Sequence, residues 1–295
     1  MDPVIDRLYV DAPSLVYRAF FALPTTVTDD EGRPVNAVRG FMDMVAWLTV
    51  EKRPRDIVAV FDADWRPAFR VEAYAGYKAE RPDDPPELPP QFEVIADVLD
   101  AAGIVRAEAD GFEADDVLAT MVTAKEASEN AAIVTGDRDL LALVRDPDVR
   151  LLWPGKGIRR IEELDESAVE ATYGVPPRLY EELAILRGDP SDGLPGVAGI
   201  GPVRASRLLG EFGSIETIMG SLERLPPKQA EALEAAREYL VTMTRVVPLV
   251  RDVPVRATDR HAPDVSRLHK LAERHKLRSS AGRLIQALER RDEGS

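Results

Sequence analysis

The sequence predicts an α/β fold, in which helices flank a central, mostly parallel sheet and a smaller helical part follows. Two observations support this prediction. In the first half of the 295 residues, short β-branched runs alternate with stretches of helical periodicity, which is typical of parallel strands joined by helices. In the second half the strand signal almost disappears. We therefore expect an α/β core over residues 1–165 and a helical part over residues 166–295.

Five strands and five helices are predicted in the first half. The strands cover 7–11, 56–62, 103–106, 131–135 and 150–153, and helical periodicity occurs near 14–21, 36–52, 91–102, 113–127 and 139–145. Residues 82–90 (PDDPPELPP) are rich in proline and acidic side chains, so they should form an exposed, extended loop.

Helices dominate the predicted second half. Their patterns cover 166–173, 177–187, 202–212, 214–221, 227–244 and 264–290, and the remaining strand signal covers 245–255. A helical subdomain of this kind is expected to pack against the sheet and need not fold alone.

The composition excludes several kinds of chemistry. The chain contains no cysteine, which rules out disulfides, zinc–thiolate sites and cysteine nucleophiles and suits a reducing cytoplasm. No apolar run approaches the roughly 20 residues of a membrane helix, and the N-terminal sequence lacks the pattern of a signal peptide. We expect a cytoplasmic protein without membrane association.

The formal charge of −14 at first argues against nucleic-acid binding, because most such proteins present a basic face. The distribution of charge changes this view. Residues 267–291 contain eight basic side chains against two acidic ones, so the rest of the chain is strongly acidic. A metal site that collects carboxylates would neutralise part of that excess.

Three acidic residues follow predicted strands. Asp11 and Asp62 close strands, and Asp137 comes after the two-residue turn Thr135-Gly136. Ligands of open parallel sheets bind beyond the carboxyl ends of the strands, so these three acids should meet at one edge.

Six further acids lie in three short motifs. GFEADDV supplies Glu113, Asp115 and Asp116 at a helix start, TGDRD adds Asp139 beside Asp137, and RGDPSDG supplies Asp189 and Asp192. Each motif has a structural alternative, since acids also favour helix N-termini and turns. The combination favours a metal site. All three histidines lie in the C-terminal part, and oxygen ligands alone select Mg²⁺ or Mn²⁺.

The segment LPGVAGIGPVRA, at 194–205, predicts a glycine-rich turn that leads into a helix. Backbone amides at such a helix start can bind a phosphate, and basic side chains follow on the helix. We interpret it as a helix-hairpin-helix type element that grips the DNA backbone; the alternative is a tight turn between helices. Its candidate DNA-binding residues are Gly196, Gly199, Gly201, Arg204 and Arg207.

A basic group is interleaved with aromatic side chains in the first third of the chain: Arg18, Arg66, Arg70, Lys78 and Arg81, among Phe20, Phe69, Tyr74 and Tyr77. In YKAERP, helical spacing would put Lys78 and Arg81 on one face, with Tyr77 free to stack on a base. The alternative is a solvated helix face.

Together these motifs resemble the 5′ nuclease family, which includes the 5′-to-3′ exonuclease domain of bacterial DNA polymerase I, the phage 5′ exonucleases and the flap endonucleases. The resemblance extends over about residues 6–290 and is specific in combination. All nine acids fall at family carboxylate positions: Asp11, Asp62, Glu113, Asp115, Asp116, Asp137, Asp139, Asp189 and Asp192. Arg18 falls at a family arginine.

The resemblance implies a PIN-like core, two or three Mg²⁺ or Mn²⁺ ions, and a helical arch at about 70–100. Arg70, Tyr77, Lys78 and Arg81 match the basic gateway of that arch, where the lysine and arginine contact the scissile phosphate and the tyrosine stacks on a terminal base. The turn at about 183–212 is similar to the family's helix-three-turn-helix, which holds the duplex and binds K⁺ through backbone carbonyls.

The implied substrates are DNA with 5′ flaps, nicks or free 5′ ends, including RNA-primed ends. The implied setting is Okazaki fragment processing and repair in the bacterial nucleoid, by a monomer linked to polymerase and ligase. The sequence departs from the family at its last acidic motif, where Gly193 replaces the usual asparagine. This puts the backbone of that turn in doubt.

Two other functions compete with this interpretation. One is an aspartate-based phosphatase that uses Asp62-Ala63-Asp64, although Trp65 and Arg66 follow where a small hydroxyl residue would be expected. The other is a non-catalytic protein that binds branched DNA, which should tolerate the loss of several carboxylates.

Overall fold

A seven-stranded sheet forms the centre of the protein in the computed structural model, which describes residues 4–155 and 157–293. The strands are β1 (Arg7–Asp11), β2 (Asp56–Val60), β3 (Val105–Glu108), β4 (Ala131–Val134), β5 (Val149–Trp153), β6 (Glu162–Leu164) and β7 (Arg256–Ala257). Their spatial order is β6-β5-β4-β1-β2-β3-β7. The five inner strands are parallel and the two edge strands antiparallel. The predicted α/β class is confirmed.

Helices cover both faces of the sheet and make up most of the second half. They are α1 (Ala12–Ala22), α2 (Asn36–Lys52), α3 (Ala68–Ala73), α4 (Pro89–Ala101), α5 (Ala114–Ala124), α6 (Glu166–Tyr173), α7 (Tyr180–Arg187), α8 (Pro202–Phe212), α9 (Ile215–Met219), α10 (Pro227–Ala235), α11 (Arg237–Val246), α12 (Val265–Arg274) and α13 (Arg278–Glu293). In the described part of the chain, no helix is long and apolar enough to cross a membrane.

The core has two layers, one on each face of the sheet. Successive side chains of a strand point to opposite faces, so Leu8 and Val10 of β1 pack under α1, α2, α4 and α13, whereas Tyr9 packs under α5 and the helical part. All three side chains are fully buried. Because a strand with both faces covered must be apolar throughout, the β-branched runs seen in the sequence mark this buried sheet.

Several predicted elements differ from those observed. The predicted helix at 139–145 is a 3₁₀ turn (Asp139–Leu143), and the predicted helix at 227–244 is divided into α10 and α11 at Ala236. The predicted helix at 264–290 is divided between α12 and α13, where Lys276 adopts a left-handed backbone with φ of 54°. Helix α3 and strand β6 were not predicted, and β7 follows the strand signal at 245–255 rather than coinciding with it.

Part of the basic C-terminal segment forms ion pairs with the core. Arg283 of α13 donates two hydrogen bonds to Asp43 of α2, at 2.7 and 3.0 Å, and Arg267 of α12 pairs with Asp97 of α4 at 2.8 Å. These ion pairs attach α12 and α13 to the α/β core. The segment is therefore less available to DNA than its charge alone suggests.

Candidate active site

Asp11 lies at the centre of the carboxyl edge of the sheet. The chain runs outward from β1 through β2 and β3 and then returns to the other side of β1 with β4, so this edge contains the topological switch point. The Asp11 carboxylate accepts the Ser14 N–H at 3.1 Å and the Thr135 hydroxyl at 2.5 Å. Burial raises the pKa of Asp11 to about 7, and the nearby charge of Asp137 adds to the effect.

Asp62 follows β2 and meets the start of α5. Its carboxylate accepts the Ala114 N–H at 2.7 Å, so a residue from a neighbouring strand caps this helix. Glu113 occupies the capping position itself but makes no capping hydrogen bond with its side chain. The simple capping interpretation of GFEADDV therefore does not hold for Glu113.

The TGDRD turn is organised by Thr135, which sequence reasoning did not assign to the site. Its side-chain oxygen accepts the Asp137 N–H at 2.8 Å while its hydroxyl donates to Asp11. The Asp137 carboxylate in turn accepts the Asp139 N–H at 2.9 Å, so the turn interpretation holds in part for Asp137. A hydroxyl residue directly after a buried strand and before an acid was the available signal.

The last acidic turn, which contains Asp189 and Asp192, follows α7. Asp189 accepts the backbone N–H of Ser191 at 3.0 Å, and Asp192 follows in a 3₁₀ turn that ends at Gly193. Gly193 has a φ of 73°, and a Cβ there would collide with the carbonyl oxygen of Gly76. The departure from the family pattern thus coincides with a close backbone contact.

Five carboxylates form the acidic cleft, which we define as Asp11, Asp62, Asp115, Asp137 and Asp139. Burial raises the pKa of Asp115 and Asp139, and the charge of Asp137 raises both further. In the part of the chain that the structure describes, neighbouring arginines and lysines pair with the other four predicted acids, and no ion pair reaches these five. The cleft therefore concentrates carboxylates that have no direct ion-pair partner, although the nearby charge of Lys78 lowers the pKa of Asp62, Asp115 and Asp139 in part.

The other four acids are partly neutralised. Arg70 binds both Glu113 and Asp116, Lys78 binds Glu113, and Arg81 binds Asp192 at 2.8 Å. Asp189 lies 3.8 Å from Arg187 and 3.9 Å from Arg138. Asp116 is fully buried and also accepts the Val250 N–H at 2.9 Å.

Arg70 does not reach the surface, contrary to the gateway prediction. It is 2% exposed, and its guanidinium binds Glu113 at 2.5 Å, Asp116 at 2.7 Å and the carbonyl of Val246 at 2.9 Å. A buried charge without partners is costly, and these partners hold it inside. Arg70 therefore holds Glu113 and Asp116 in place from the interior of the protein.

The gateway turn, defined as residues 74–81, contains no helix. Lys78 has a φ of 50°, so Lys78 and Arg81 do not share the predicted helical face. Tyr77 is 5% exposed and its hydroxyl donates to Glu113 at 2.8 Å. Lys78 is equally buried, whereas the Arg81 side chain is half-exposed. Of the gateway residues, only Arg81 presents its charge to solvent in this arrangement.

The remaining predicted residues lie on two flanks. Arg18 of α1 donates to the carbonyl of Gly155 at 3.1 Å. In the glycine-rich turn, Gly196 packs against Gly188, Gly199 has a φ of 75°, and Gly201 is the N-cap of α8. Arg204 and Arg207 are exposed on α8, and Arg204 also donates to the Gly199 carbonyl at 2.5 Å. The turn is open to a ligand from solvent.

No three of the carboxylates in residues 4–155 and 157–293 are arranged closely enough to chelate one ion as they stand. The donor set nevertheless suits a hard divalent cation, because it consists only of carboxylates and the charge of Asp137 raises the pKa of Asp11, Asp115 and Asp139. A narrow cavity brings the acids of different motifs together. Its lining includes Glu113 and Asp115 from the start of α5, and Asp139, Asp189 and Asp192 from the two acidic turns.

A carboxylate cleft at the switch point of an open sheet, bordered by basic side chains, is suited to binding a cation beside a negatively charged ligand. Residues 7–174 match the family described as 5′–3′ exonuclease, N-terminal resolvase-like domain, and residues 175–267 match 5′–3′ exonuclease, C-terminal SAM fold. The chain belongs to the 5′–3′ exonuclease family and is a hydrolytic 5′ nuclease.

Individual relatives agree with this membership. The chain is 44% identical to a 5′–3′ exonuclease of Streptomyces coelicolor, over 95% of this chain and 99% of the relative. It is 41% identical to DNA polymerase I of Mycobacterium leprae, of which it spans only 31%. The flap endonuclease of bacteriophage T5, solved with DNA and metal ions, has the same fold at a TM-score of 0.68 and 20% identity, covering 96% of this chain and 99% of that one.

Proposed function

We propose that the chain is a divalent-metal-dependent 5′-flap endonuclease and 5′–3′ exonuclease that hydrolyses phosphodiesters in branched or nicked duplex DNA. The supporting observation is the acidic cleft, where five carboxylates lie without a direct ion-pair partner among the described residues and the charge of Asp137 raises the pKa of Asp11, Asp115 and Asp139. Like charges in this arrangement repel, and a divalent cation is the partner that stabilises them. The T5 relative was solved with DNA and metal ions, which supports the same ligands here.

The acids divide into two groups of ligands for Mg²⁺ or Mn²⁺. Asp11, Asp62, Glu113 and Asp115 form one side, and Asp137, Asp139, Asp189 and Asp192 form the other. Asp116, enclosed by Arg70 and the Val250 N–H, supports Glu113 instead of binding an ion directly. When bound, a pair of such ions activates the attacking water and stabilises the leaving oxygen.

The basic side chains beside the cleft bind the substrate. Lys78 and Arg81 lie at its border, where their charges stabilise the negative charge that develops on the scissile phosphate. Lys78 binds Glu113 in this structure, so an entering phosphate competes with a carboxylate for the same ammonium group. Tyr77 orients Glu113 through its hydroxyl and stacks on a terminal base only after this hydrogen bond is released.

The glycine-rich turn holds the duplex next to the cleft. Gly196, Gly199 and Gly201 bring backbone groups to the surface at the start of α8, where amides bind phosphates and carbonyls bind K⁺. Arg204 and Arg207 add charge to this grip. We assign the protein, acting as a monomer in the nucleoid, to Okazaki fragment processing and repair beside a polymerase and a ligase.

Substitution of the cleft acids tests the proposal. We expect Asp115→Asn and Asp137→Asn to leave the circular dichroism spectrum unchanged and to reduce cleavage of a 5′-flap duplex in Mg²⁺ or Mn²⁺ to background. Cleavage at the wild-type rate by both folded variants would show that the site is wrong. Hydrolysis of a phosphate monoester, unaffected by competing flap DNA, would instead support the phosphatase.

A further inference from the structure

The Arg66 side chain donates hydrogen bonds to backbone carbonyls of the protein. Its Nε donates to the carbonyl of Tyr77 at 2.7 Å and its Nη2 donates to the carbonyl of Ala75 at 2.9 Å. Its own N–H donates to the Asp64 carboxylate at 3.0 Å, and both residues lie in the loop that follows β2. Both carbonyls belong to the gateway turn. We infer that Arg66 is a positioning residue that holds the gateway turn, and with it Lys78, over the acidic cleft.

The gateway turn needs such support because its backbone is not held by regular structure. Lys78 adopts a φ of 50°, which is unfavourable for a residue with a side chain. On the far side, the Lys78 N–H donates to the Asp192 carbonyl at 3.0 Å, and Gly76 contacts Gly193. Arg66 supplies the opposing contact from the β2 side. The turn is therefore held between the first half of the sheet and the last acidic turn.

The chemistry of arginine suits this task. A guanidinium is planar and presents several N–H groups in a fixed geometry, so it can bind two carbonyls of one turn at once, whereas a lysine ammonium offers a less directional contact. The same donors cannot also bind a DNA phosphate. Arg66 should therefore affect the rate of cleavage more than the affinity for DNA.

This inference rests on the proposed role of Lys78 and is tested with it. We would measure single-turnover cleavage of a 5′-flap duplex for Arg66→Ala, Arg66→Lys, Lys78→Ala and the double variant R66A/K78A. DNA affinity and its salt dependence would be compared between D115N, which is expected not to cleave, and the double variant R66A/D115N. Arg55→Ala is the matched control, because Arg55 lies at the opposite end of β2 in an ion pair with Asp6.

We expect R66A to cleave about 10- to 100-fold more slowly, since a misplacement of about 1 Å costs up to about 100-fold in rate. Its DNA affinity should stay within about twofold and keep the same salt slope, because no phosphate contact is lost. R66K should recover part of the rate, and R55A should match the wild type. The double variant should lose less than the product of the two single losses, because Arg66 acts partly through Lys78.

Three results would overturn the inference. One is R66A cleaving at the wild-type rate while K78A is impaired. Another is a loss of affinity that matches the loss of rate and comes with a shallower salt slope, which would make Arg66 a direct phosphate contact. The third is wild-type cleavage by K78A, which would also remove the proposed gateway. If R66A unfolds, R66K in the same assays decides between these outcomes.

Discussion

Arg70 offsets the charge of two of the acids at this site. It is buried with both Glu113 and Asp116, and it reaches the carbonyl of Val246 as well. Without Arg70, Asp116 would lose its ion-pair partner and Glu113 would keep its pair with Lys78. Arg70 pairs with these two acids, whereas among the described residues the five carboxylates of the acidic cleft have no direct ion-pair partner.

Removal of Arg70 should therefore destabilise the fold strongly. We expect Arg70→Ala to lower the free energy of unfolding by about 3–5 kcal/mol, because it removes the cation that pairs with the fully buried Asp116 carboxylate. The measurement is urea-induced unfolding followed by circular dichroism. Arg55→Ala, which breaks an exposed pair with Asp6, should cost no more than about 1 kcal/mol. Equal losses in the two variants would contradict a structural role for Arg70.

Thr135 joins two of the proposed ligands through one hydroxyl group. Thr135→Val keeps its shape and removes both hydrogen bonds, to Asp11 and from the Asp137 N–H. We expect a loss of about 1–3 kcal/mol in stability, together with weaker cleavage of flap DNA. Thr135→Ser should restore both properties. If the valine variant cleaves like the wild type, the hydroxyl has no part in organising the site.

At the scale of elements, the gateway turn and the last acidic turn behave as one unit. Gly193 faces Gly76 at a distance that leaves no room for a side chain, and Tyr74 donates its hydroxyl to the Gly193 carbonyl at 3.3 Å. Arg81 adds an ion pair with Asp192. The glycine that departs from the family pattern therefore lets these two turns approach closely.

Gly193→Ala tests this contact against a control with the same backbone. Gly213 has a φ of 82°, but a Cβ there would meet nothing within 4 Å. Both variants should lose about 1–2 kcal/mol from the left-handed backbone. We expect only G193A to displace the gateway turn and slow flap cleavage, by about tenfold or more. Similar cleavage rates in the two variants would show that the contact is not needed.

Sequence periodicity predicted elements well where one face of an element is buried. Helix α2 covers 36–52 as predicted, and β1 covers 7–11. Periodicity could not predict the division between α12 and α13, because an apolar stripe continues through Lys276 without glycine or proline. The gateway turn was predicted as helix because its spacing fits one, whereas its conformation is imposed by Arg66 and Gly193, which lie outside it.

For the whole molecule, the sequence could predict that the acids lie close together, but not which of them form ion pairs with arginine or lysine. Parallel strands place their carboxyl ends at one edge, so Asp11, Asp62 and Asp137 were expected together. Which acids remain uncompensated depends on cations far away in sequence: Arg70 lies 46 residues from Asp116, and Arg81 lies 111 from Asp192. Local patterns contain no information about such pairs.

An acidic cleft of this kind should make the stability of the whole protein depend on protons and divalent cations. Burial raises the pKa of Asp11 from its ordinary value of 3.8 to about 7. The folded state therefore holds this proton more tightly than the unfolded state. The resulting stabilisation is fully present below about pH 4 and is lost as the pH rises towards about 7. The neighbouring acids Asp115 and Asp139 act in the same direction.

We accordingly expect the unfolding temperature in chelator to fall between about pH 4 and pH 7, and millimolar Mg²⁺ to restore it most at the upper end, because a cation replaces the lost protons. Asp11→Asn, which removes the titrating carboxylate but keeps one of its two hydrogen-bond acceptor oxygens, should flatten the pH dependence and reduce the effect of Mg²⁺. His275, whose pKa burial lowers, acts in the opposite direction, and comparing D11N with the wild type removes its contribution. Equal Mg²⁺ shifts in both proteins at pH 7 would exclude Asp11 as a ligand.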